Sequence, residues 1–311
     1  MILRHAKLME ISGLLSGILG TGGRPASPIQ IRDFMQFASV RKINLNDLRV
    51  VEVAGRLLWT ALPVTSPGRT MLLFVPPGIS DLDRAAATAL LDNLSQEFRD
   101  KQIDLVQVLL DPLDGSARGF FAEQQFVEIA ELIYLQGNPP RSFSEALLPL
   151  GLSMHTYSAQ THDLFARAIT ESYRNSLDCP AINGMRSIED VILGHKSAGG
   201  EFDPALWRVI CEHGEPRGAM LLSTIPMSDA LELVYLGLAP SGRGRGLGDL
   251  LMREAMQSVV QQRRRRLTLA VDARNGPALK LYYRHGLHRV AAKTAMIRDL
   301  RKTNPLSEET K

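Results

Sequence analysis

Two hydrophobic periods meet in the middle of the second half of this chain. Leu231 to Leu238 is an apolar run rich in strand formers, and Pro240 ends it, since proline cannot donate to a sheet ladder. From Leu247 the apolar residues Leu250, Leu251, Ala255, Met256, Val259 and Val260 recur at three- and four-residue spacing, which is one face of a helix. Between them stand Gly242, Gly244, Gly246 and Gly248, interleaved with Arg243 and Arg245. The same reading along the rest of the chain predicts strands at 56–64 and 71–75, joined by the turn Ser66-Pro67-Gly68, a helix at 82–98, a strand at 103–110, a short helix at 116–124 and a strand at 126–135. Gln136 to Arg141 reads as a linker. Helices follow at 164–177 and 187–195, then strands at 207–211 and 217–224 around the turn Gly214-Glu215-Pro216. A strand at 267–271, a short helix at 277–284 and a strand at 288–297 close the pattern, and the tail from Arg301 is polar. Residues 1–30, with the short apolar run Ile11 to Gly20 and then Gly22-Gly23-Arg24-Pro25, read as a poorly ordered arm or a short helix.

Composition narrows the function. A chain of 311 residues has room for two domains, and 45% apolar with 22% charged residues is a globular balance. A net charge of +3 is too small to argue for nucleic acid. The basic run Arg263 to Arg266 fits the end of the helix before it, where positive charge suits the dipole; contact with a phosphate of the ligand is the lesser reading. Cys179 and Cys211 form no disulfide framework, which fits a reducing, cytoplasmic setting, and no spacing of cysteine and histidine suggests a metal. No run reaches the ~18 apolar residues of a membrane helix, so no membrane partner is expected.

A glycine-rich turn between a strand and a helix has a physical meaning. Glycines let the backbone approach a ligand closely, and the first helical turn presents unpaired N–H groups at the positive end of the dipole. Such a place binds phosphate or pyrophosphate. Two nucleotide patterns fail here. The loop lacks the Gly-Lys-Ser/Thr ending of a Walker loop, and Leu247 and Asp249 stand where the last glycine of G-x-G-x-x-G would be.

A second signal is internal. The segment starting at Val108 aligns without a gap under the segment starting at Leu269: Asp111 faces Asp272, Asp114 faces Asn275, Gly115 faces Gly276, Ala117 faces Ala278, Phe121 faces Tyr282 and Phe126 faces Leu287. This pattern predicts a duplicated unit. The first copy has no glycine loop. Its strand end runs through Pro76-Pro77-Gly78 into Asp81 and Asp83, whose charges repel a diphosphate.

Arg243-x-x-Gly246-x-Gly248 after a strand, followed by Asn275-x-x-Ala278-x-x-Leu281-Tyr282-x-x-x-Gly286-Leu287, resembles the two motifs of the GNAT N-acetyltransferase superfamily, with leucine in place of the usual final phenylalanine. The resemblance covers the second half well and the first weakly. It implies an α/β (α+β) fold of tandem GNAT-like mixed sheets flanked by helices, with the N-terminal copy degenerate. The expected organisation is an arm at 1–30, the degenerate domain at 31–138 and the catalytic domain at 139–311. The tandem arrangement is similar to that of mycothiol synthases.

The resemblance further implies an acetyl-CoA-dependent N-acetyltransferase acting on a primary amine by direct attack, with no metal. Coenzyme A would be held by Arg243, Gly244, Arg245, Gly246, Leu247 and Gly248, and the thioester carbonyl polarised by backbone N–H in Leu236, Gly237 and Leu238. Asn275 would cap its helix or lie along the pantetheine arm. Tyr282 matches the tyrosine that meets the leaving thiolate. Glu232 has two readings: the base, in a half-buried cleft, or a solvent-facing strand glutamate; a water chain would serve in place of a base. Alternation along the strand sets Glu232 on the face opposite Leu231, Leu233 and Tyr235. Trp207 and Tyr235 read as core, and His155, Tyr157 and Asp178 fall where the family builds its acceptor pocket. The acceptor is a small-molecule amine. A protein lysine or N-terminus, or acyl-CoA binding without turnover, are the rival readings.

Overall fold

The computed structural model describes all residues except Gly22, 141–147, Gly199, Met227 and 302–311. In chain order its elements are β1 (Ile2–His5), α1 (Ile11–Ile18), α2 (Pro28–Val40), β2 (Arg49–Val53), β3 (Arg56–Ser66), β4 (Thr70–Phe74), α3 (Asp81–Asp100), β5 (Leu105–Leu110), α4 (Gly115–Glu123) and β6 (Val127–Gly137). They continue with β7 (Leu152–Thr156), α5 (His162–Ser172), α6 (Ile188–Ser197), β8 (Glu201–Glu212), β9 (Glu215–Thr224), β10 (Ala230–Leu238), α7 (Leu247–Gln261), β11 (Arg266–Asp272), α8 (Gly276–Arg284) and β12 (His288–Asp299).

The chain divides into two compact units. The first holds Met1–Ile129 with the segment from Lys293 onward, the second Ala130–Ala292. The division expected at 138 and 139 therefore moves, for a physical reason. The residues read as a linker, Gln136 and Gly137, continue β6 and pair with Thr268 and Leu267 of β11. A side chain at position 137 would meet the backbone of Gly286 and Leu287 at 3.0 Å, so glycine serves close strand packing there rather than flexibility. In return, Thr294 to Asp299 of β12 pair with Leu110 to Leu105 of β5 and complete the sheet of the first unit. Arg141 of the expected linker and the tail after Arg301 lie outside the described residues.

Within the first unit the strand order is β1-β2-β3-β4-β5-β12, and within the second β6-β11-β10-β9-β8-β7. These are the mixed, helix-flanked α/β sheets expected. The arm is not poorly ordered: Ile2 to His5 pair with Glu52 to Arg49, and α1 buries Ile11, Leu15 and Ile18 against Leu48 and Leu62. Its apolar positions 11, 15 and 18 are one helical face.

In the second unit α7 lays Leu247, Leu251, Met252, Ala255, Met256 and Val259 on one face of β9, β10 and β11. Helices α5 and α6 cover the opposite face with Phe165, Ile169, Val191 and Ile192 around Trp207, which is 1% exposed and is core as expected. The helix expected over 164–177 stops at Ser172. Beyond it the carbonyls of Ser172, Arg174 and Asn175 are taken by the Arg243 guanidinium, and Asn175 turns left-handed at φ 54°.

Candidate active site

The site begins as a gap between two parallel strands. β10 pairs with β11 only from Ala230 to Glu232, opposite Arg266 to Thr268, and past that point the two strands diverge. A bulge between Leu233 and Tyr235 adds one residue to β10 against β9. The bulge reverses which face the following side chains take. Leu231, Leu233 and Leu236 pack with α7, while Val234 and Tyr235 pack with α5 and α6. Strict alternation fails here: Tyr235 lies opposite Leu231 and Leu233, not beside them.

A cavity of about 160 Å³ opens in the gap, lined by Leu236, Gly237, Leu238 and Arg243 on one side, Asn275 and Pro277 on another, and Tyr173, Asp178 and Tyr235 on a third. So five residues expected at the cofactor, Leu236, Gly237, Leu238, Arg243 and Asn275, converge on one cleft with Asp178 of the expected acceptor region. Leu236 to Leu238 keep ladder partners only on β9, which leaves the cleft edge of that strand segment open. Tyr235, read as core, is also a wall of the cleft. Its hydroxyl is hydrogen-bonded to the Ser172 hydroxyl, and burial raises its pKa. Gly237 is required there, because a side chain would strike Ser172 Oγ at 2.8 Å and the Tyr235 hydroxyl.

The glycine loop joins this cleft to α7. Pro240–Gly242 forms one tight helical turn, then Gly244 and Gly246 take φ of 71° and 78°, a conformation that side chains resist. Gly246 is the N-cap of α7, and Leu250 N–H is the first to find a helical partner, Gly246 O at 3.2 Å. Among the described residues, the N–H groups of Gly244, Arg245, Gly246, Leu247 and Gly248 have no acceptor. With the helix dipole behind them they form an anion nest. Gly248 also lets α7 approach α8, since a Cβ there would meet Leu281 Cδ2 at 3.2 Å.

The two arginines of the loop have other employment. Arg243 donates to the carbonyls of Leu238, Ser172, Arg174 and Asn175 at 2.8 to 3.1 Å, so it ties the end of β10 to the end of α5. Arg245 pairs with Glu212, which Arg245 chiefly, with Arg217, holds down at about pKa 2. Neither guanidinium stands free beside the loop as expected. The run Arg263 to Arg266 lies past the far end of α7, about 22 Å from the loop at the rise of a helix. Arg264 binds Ser228 O there and Arg266 binds Asp229, so this run staples a turn.

Tyr282 sits on α8, 6% exposed, in the core cluster shared with α7, and like Glu232 it is not among the residues lining the cavity. Burial, then the nearby Asp178 carboxylate, push its pKa well above the phenol range. Its hydroxyl has no hydrogen-bond partner among the described residues. Asn275 caps α8, accepting from Ala278 N–H at 3.3 Å, and also lines the cleft, so both expected roles coexist. Glu232 is not among the residues lining this cavity. It lies before the bulge, cross-strand from Ser223 and Thr268, close enough to Tyr134 to raise its pKa along with burial. His155 hydrogen-bonds Ser153, and Tyr157 packs against Trp207 and His162; neither lines the cleft. Among the described residues no group of three or more His, Cys, Asp or Glu could hold a metal ion, and no helix is long and apolar enough to cross a membrane.

Sequence reasoning placed Asp178 in the acceptor region by resemblance alone, with no spacing to mark it. Its carboxyl Oδ1 accepts the N–H of Asp272 at 3.3 Å, and Asp272 Oδ2 accepts the N–H of Cys179 at 3.2 Å. These reciprocal bonds join segments almost a hundred residues apart, which no local pattern reports.

Residues 173–287 match the family model "Acetyltransferase (GNAT) family". No curated protein matches the chain. Solved structures do, over nearly its whole length. A GCN5-related N-acetyltransferase from Sphaerobacter thermophilus aligns at 17% identity with TM-score 0.61, covering 98% of both chains. A tandem GNAT protein from the clavulanic acid biosynthesis pathway aligns at 16% identity with TM-score 0.52, covering 97% of this chain and 99% of that one. A GCN5-related N-acetyltransferase from Kribbella flavida aligns at 16% identity with TM-score 0.50, covering 88% and 97%. At such identities the likeness is one of fold.

Proposed function

We propose that this chain, in which residues 173–287 form a GNAT-family acyltransferase domain, moves an acetyl group from acetyl-CoA to the primary amine of a small molecule. The observation that carries the reading is the run of unclaimed N–H groups from Gly244 to Gly248, which follows directly on Arg243 of the cleft wall. That run suits the pyrophosphate of coenzyme A, whose arm would then enter between Leu236–Leu238 and Asn275. Arg243 serves the loop by fixing its entry.

Acetyl transfer then needs three events. The thioester carbonyl gains negative charge, which the open N–H edge of Leu236, Gly237 or Leu238 is suited to meet. The amine gives up a proton, because an ammonium has no lone pair. The thiolate leaves, and Tyr282 is the donor suited to it. A thiol titrates near ~8.5 and Tyr282 lies far higher, so full transfer from the phenol is uphill. Tyr282 acts by a hydrogen bond that stabilises the thiolate. Glu232, the base candidate of the sequence, lies outside the cleft lining. Attack is direct within a ternary complex, with no covalent enzyme intermediate and no metal. The two free cysteines, one buried, suit a reducing compartment such as the cytoplasm. Calorimetric titration with acetyl-CoA tests the core of the reading: one equivalent at micromolar affinity is expected, and no binding overturns it.

A further inference from the structure

The geometry points to Asp178 as the group that receives the acceptor as an ammonium ion and takes its proton, which makes the acceptor an alkylamine that enters the cleft charged. This inference rests on the acetyl-transfer reading above and adds the base and the amine class to it.

Four observations converge. Asp178 lines the same cavity as Leu236–Leu238 and Asn275, where the thioester would lie. Its position is fixed from both sides, by the reciprocal bonds with Asp272 and by the left-handed backbone of the next residue, Cys179, at φ 43°. Those bonds use Oδ1 and leave Oδ2 with no partner among the described residues, an open acceptor on a carboxylate. Tyr173 and Tyr235 form the adjoining walls, and aromatic faces beside a carboxylate favour a cation over a neutral guest.

The surrounding charges agree. Asp272 is the nearest acid, but it is 0% exposed and its charge is matched by Arg274 at 2.8 Å. The Arg243 guanidinium is spent on backbone carbonyls, so no cation of the cleft wall occupies Asp178. Burial first, and then the Asp178 charge among lesser causes, holds Tyr173, Tyr235 and Tyr282 in their protonated form. Asp178 is an exposed residue, yet desolvation of its carboxyl against the cleft, with repulsion from Asp272, moves it upward from the ordinary aspartate range despite the Asp272 N–H bond. Cys179, pushed up to about 12 by burial first and then by these acids, stays a thiol and does not compete as a nucleophile.

The protons balance. One N–H proton of the ammonium passes to Asp178 Oδ2 and on to water. The nitrogen lone pair forms the C–N bond, the C–S bond breaks, and the pair stays on sulfur, held by the Tyr282 hydroxyl. The second N–H proton, released as the amide forms, neutralises that thiolate.

The test compares wild type with Asp178→Asn, in acetyl-CoA binding by calorimetry and in thiol release with two probes, n-butylamine and 4-methylaniline. The alkylamine is charged near neutral pH and the aniline is not. With n-butylamine at pH 7 the variant is expected to lose about a hundredfold in kcat/KM. The gap closes as pH rises and the amine loses its proton unaided. With the aniline the two proteins differ by less than about threefold, and acetyl-CoA affinity is the same in both. Equal loss with both amines, parallel pH profiles, altered acetyl-CoA affinity in the variant, or binding without thiol release to either amine overturns the role of Asp178. Wild-type protein that fails to bind acetyl-CoA instead overturns the parent reading.

Discussion

The two halves of the chain build the same gap and fill it differently. In the second, β10 and β11 are paired for three residues and then diverge; in the first, β4 and β5 pair only over Thr70 to Leu72 and Leu105 to Gln107 before they part. The repeat seen in the sequence continues through these elements. Asp114 caps α4 by accepting Ala117 N–H at 3.0 Å, as Asn275 caps α8, and Gln125 takes the left-handed turn at φ 63° that Gly286 takes at 80°. Phe121 is 2% exposed where Tyr282 is 6% exposed. Yet the first gap, a cavity of about 400 Å³, carries two acids, Asp111 and Asp114, beside one cation, Lys293. Gly78 N–H already donates to Asp114 Oδ2 at 2.6 Å, Asp111 lines the wall, and Asp81 and Asp83 occupy the first turn of α3. The caps differ by one atom: Asp114 caps α4 and also binds Gly78 N–H, whereas Asn275 caps α8 and lines the cleft. The scaffold persists because capping accepts either residue.

Gly246→Val should break this contrast most severely. It places a β-branched residue at φ 78°, where each such residue costs roughly 1–2 kcal/mol, and spoils the aim of the N–H groups. Acetyl-CoA affinity is expected to fall about a hundredfold by calorimetry. Unchanged affinity would sink the loop assignment. Tyr282→Phe, which gives the second half the residue of the first, is next. A hydrogen bond to a charged group is worth roughly 1.5–3 kcal/mol, so kcat should fall about 10- to 100-fold while the acetyl-CoA Kd holds. Turnover equal to wild type would leave Tyr282 as packing alone.

A third effect separates the halves by titration. His195 is on α6 beside Tyr235, its Nε2 buried without a partner, and burial lowers its pKa to about 4. The first unit has His5 as its sole histidine among residues 1–129. Because the unfolded chain binds this proton near pH 6.5 and the folded chain does not, the neutral form is favoured above 6.5 without penalty. Stability is lost as pH falls from about 6.5 toward 4. Discounted for partial solvent access, the loss is on the order of 1–2 kcal/mol. His195→Gln should flatten urea-derived stability over that window; an unchanged slope would place the acid sensitivity elsewhere.

How much of this was legible beforehand divides by range. The glycine loop, the capped helix α8 and the repeat are local patterns, and local geometry kept them. Tyr235 was misplaced because one inserted residue at the bulge reverses alternation, and nothing in Leu231–Leu238 marks where the insertion falls. Arg243 looked like a ligand charge because its partners, the carbonyls after Ser172, lie some seventy residues away. The unit boundary was misplaced because β6 and β12 are bounded by pairing partners and not by composition. Asp178 was placed only by region for the same reason: its position is fixed by bonds to Asp272.

The smallest expected effect sharpens the comparison best, since it exchanges the one atom by which the two helix caps differ. Asn275→Asp keeps a side-chain oxygen at the N-cap, where aspartate and asparagine cap about equally, so thermal stability should change by less than about 1 kcal/mol. It adds a negative charge to the cleft at a position lined by Leu238 and Asp178. An anionic ligand should then bind several-fold more weakly, with the deficit growing at low ionic strength as screening falls. The reciprocal Asp114→Asn should preserve the α4 cap and weaken the hold on Gly78 N–H, with no gain of acetyl-CoA binding, because the first half has one glycine in Pro76-Pro77-Gly78 where the second has four. Two equivalents of acetyl-CoA bound by Asp114→Asn would mean that the charge alone had kept the first half empty. One equivalent would show that the glycine loop is needed as well.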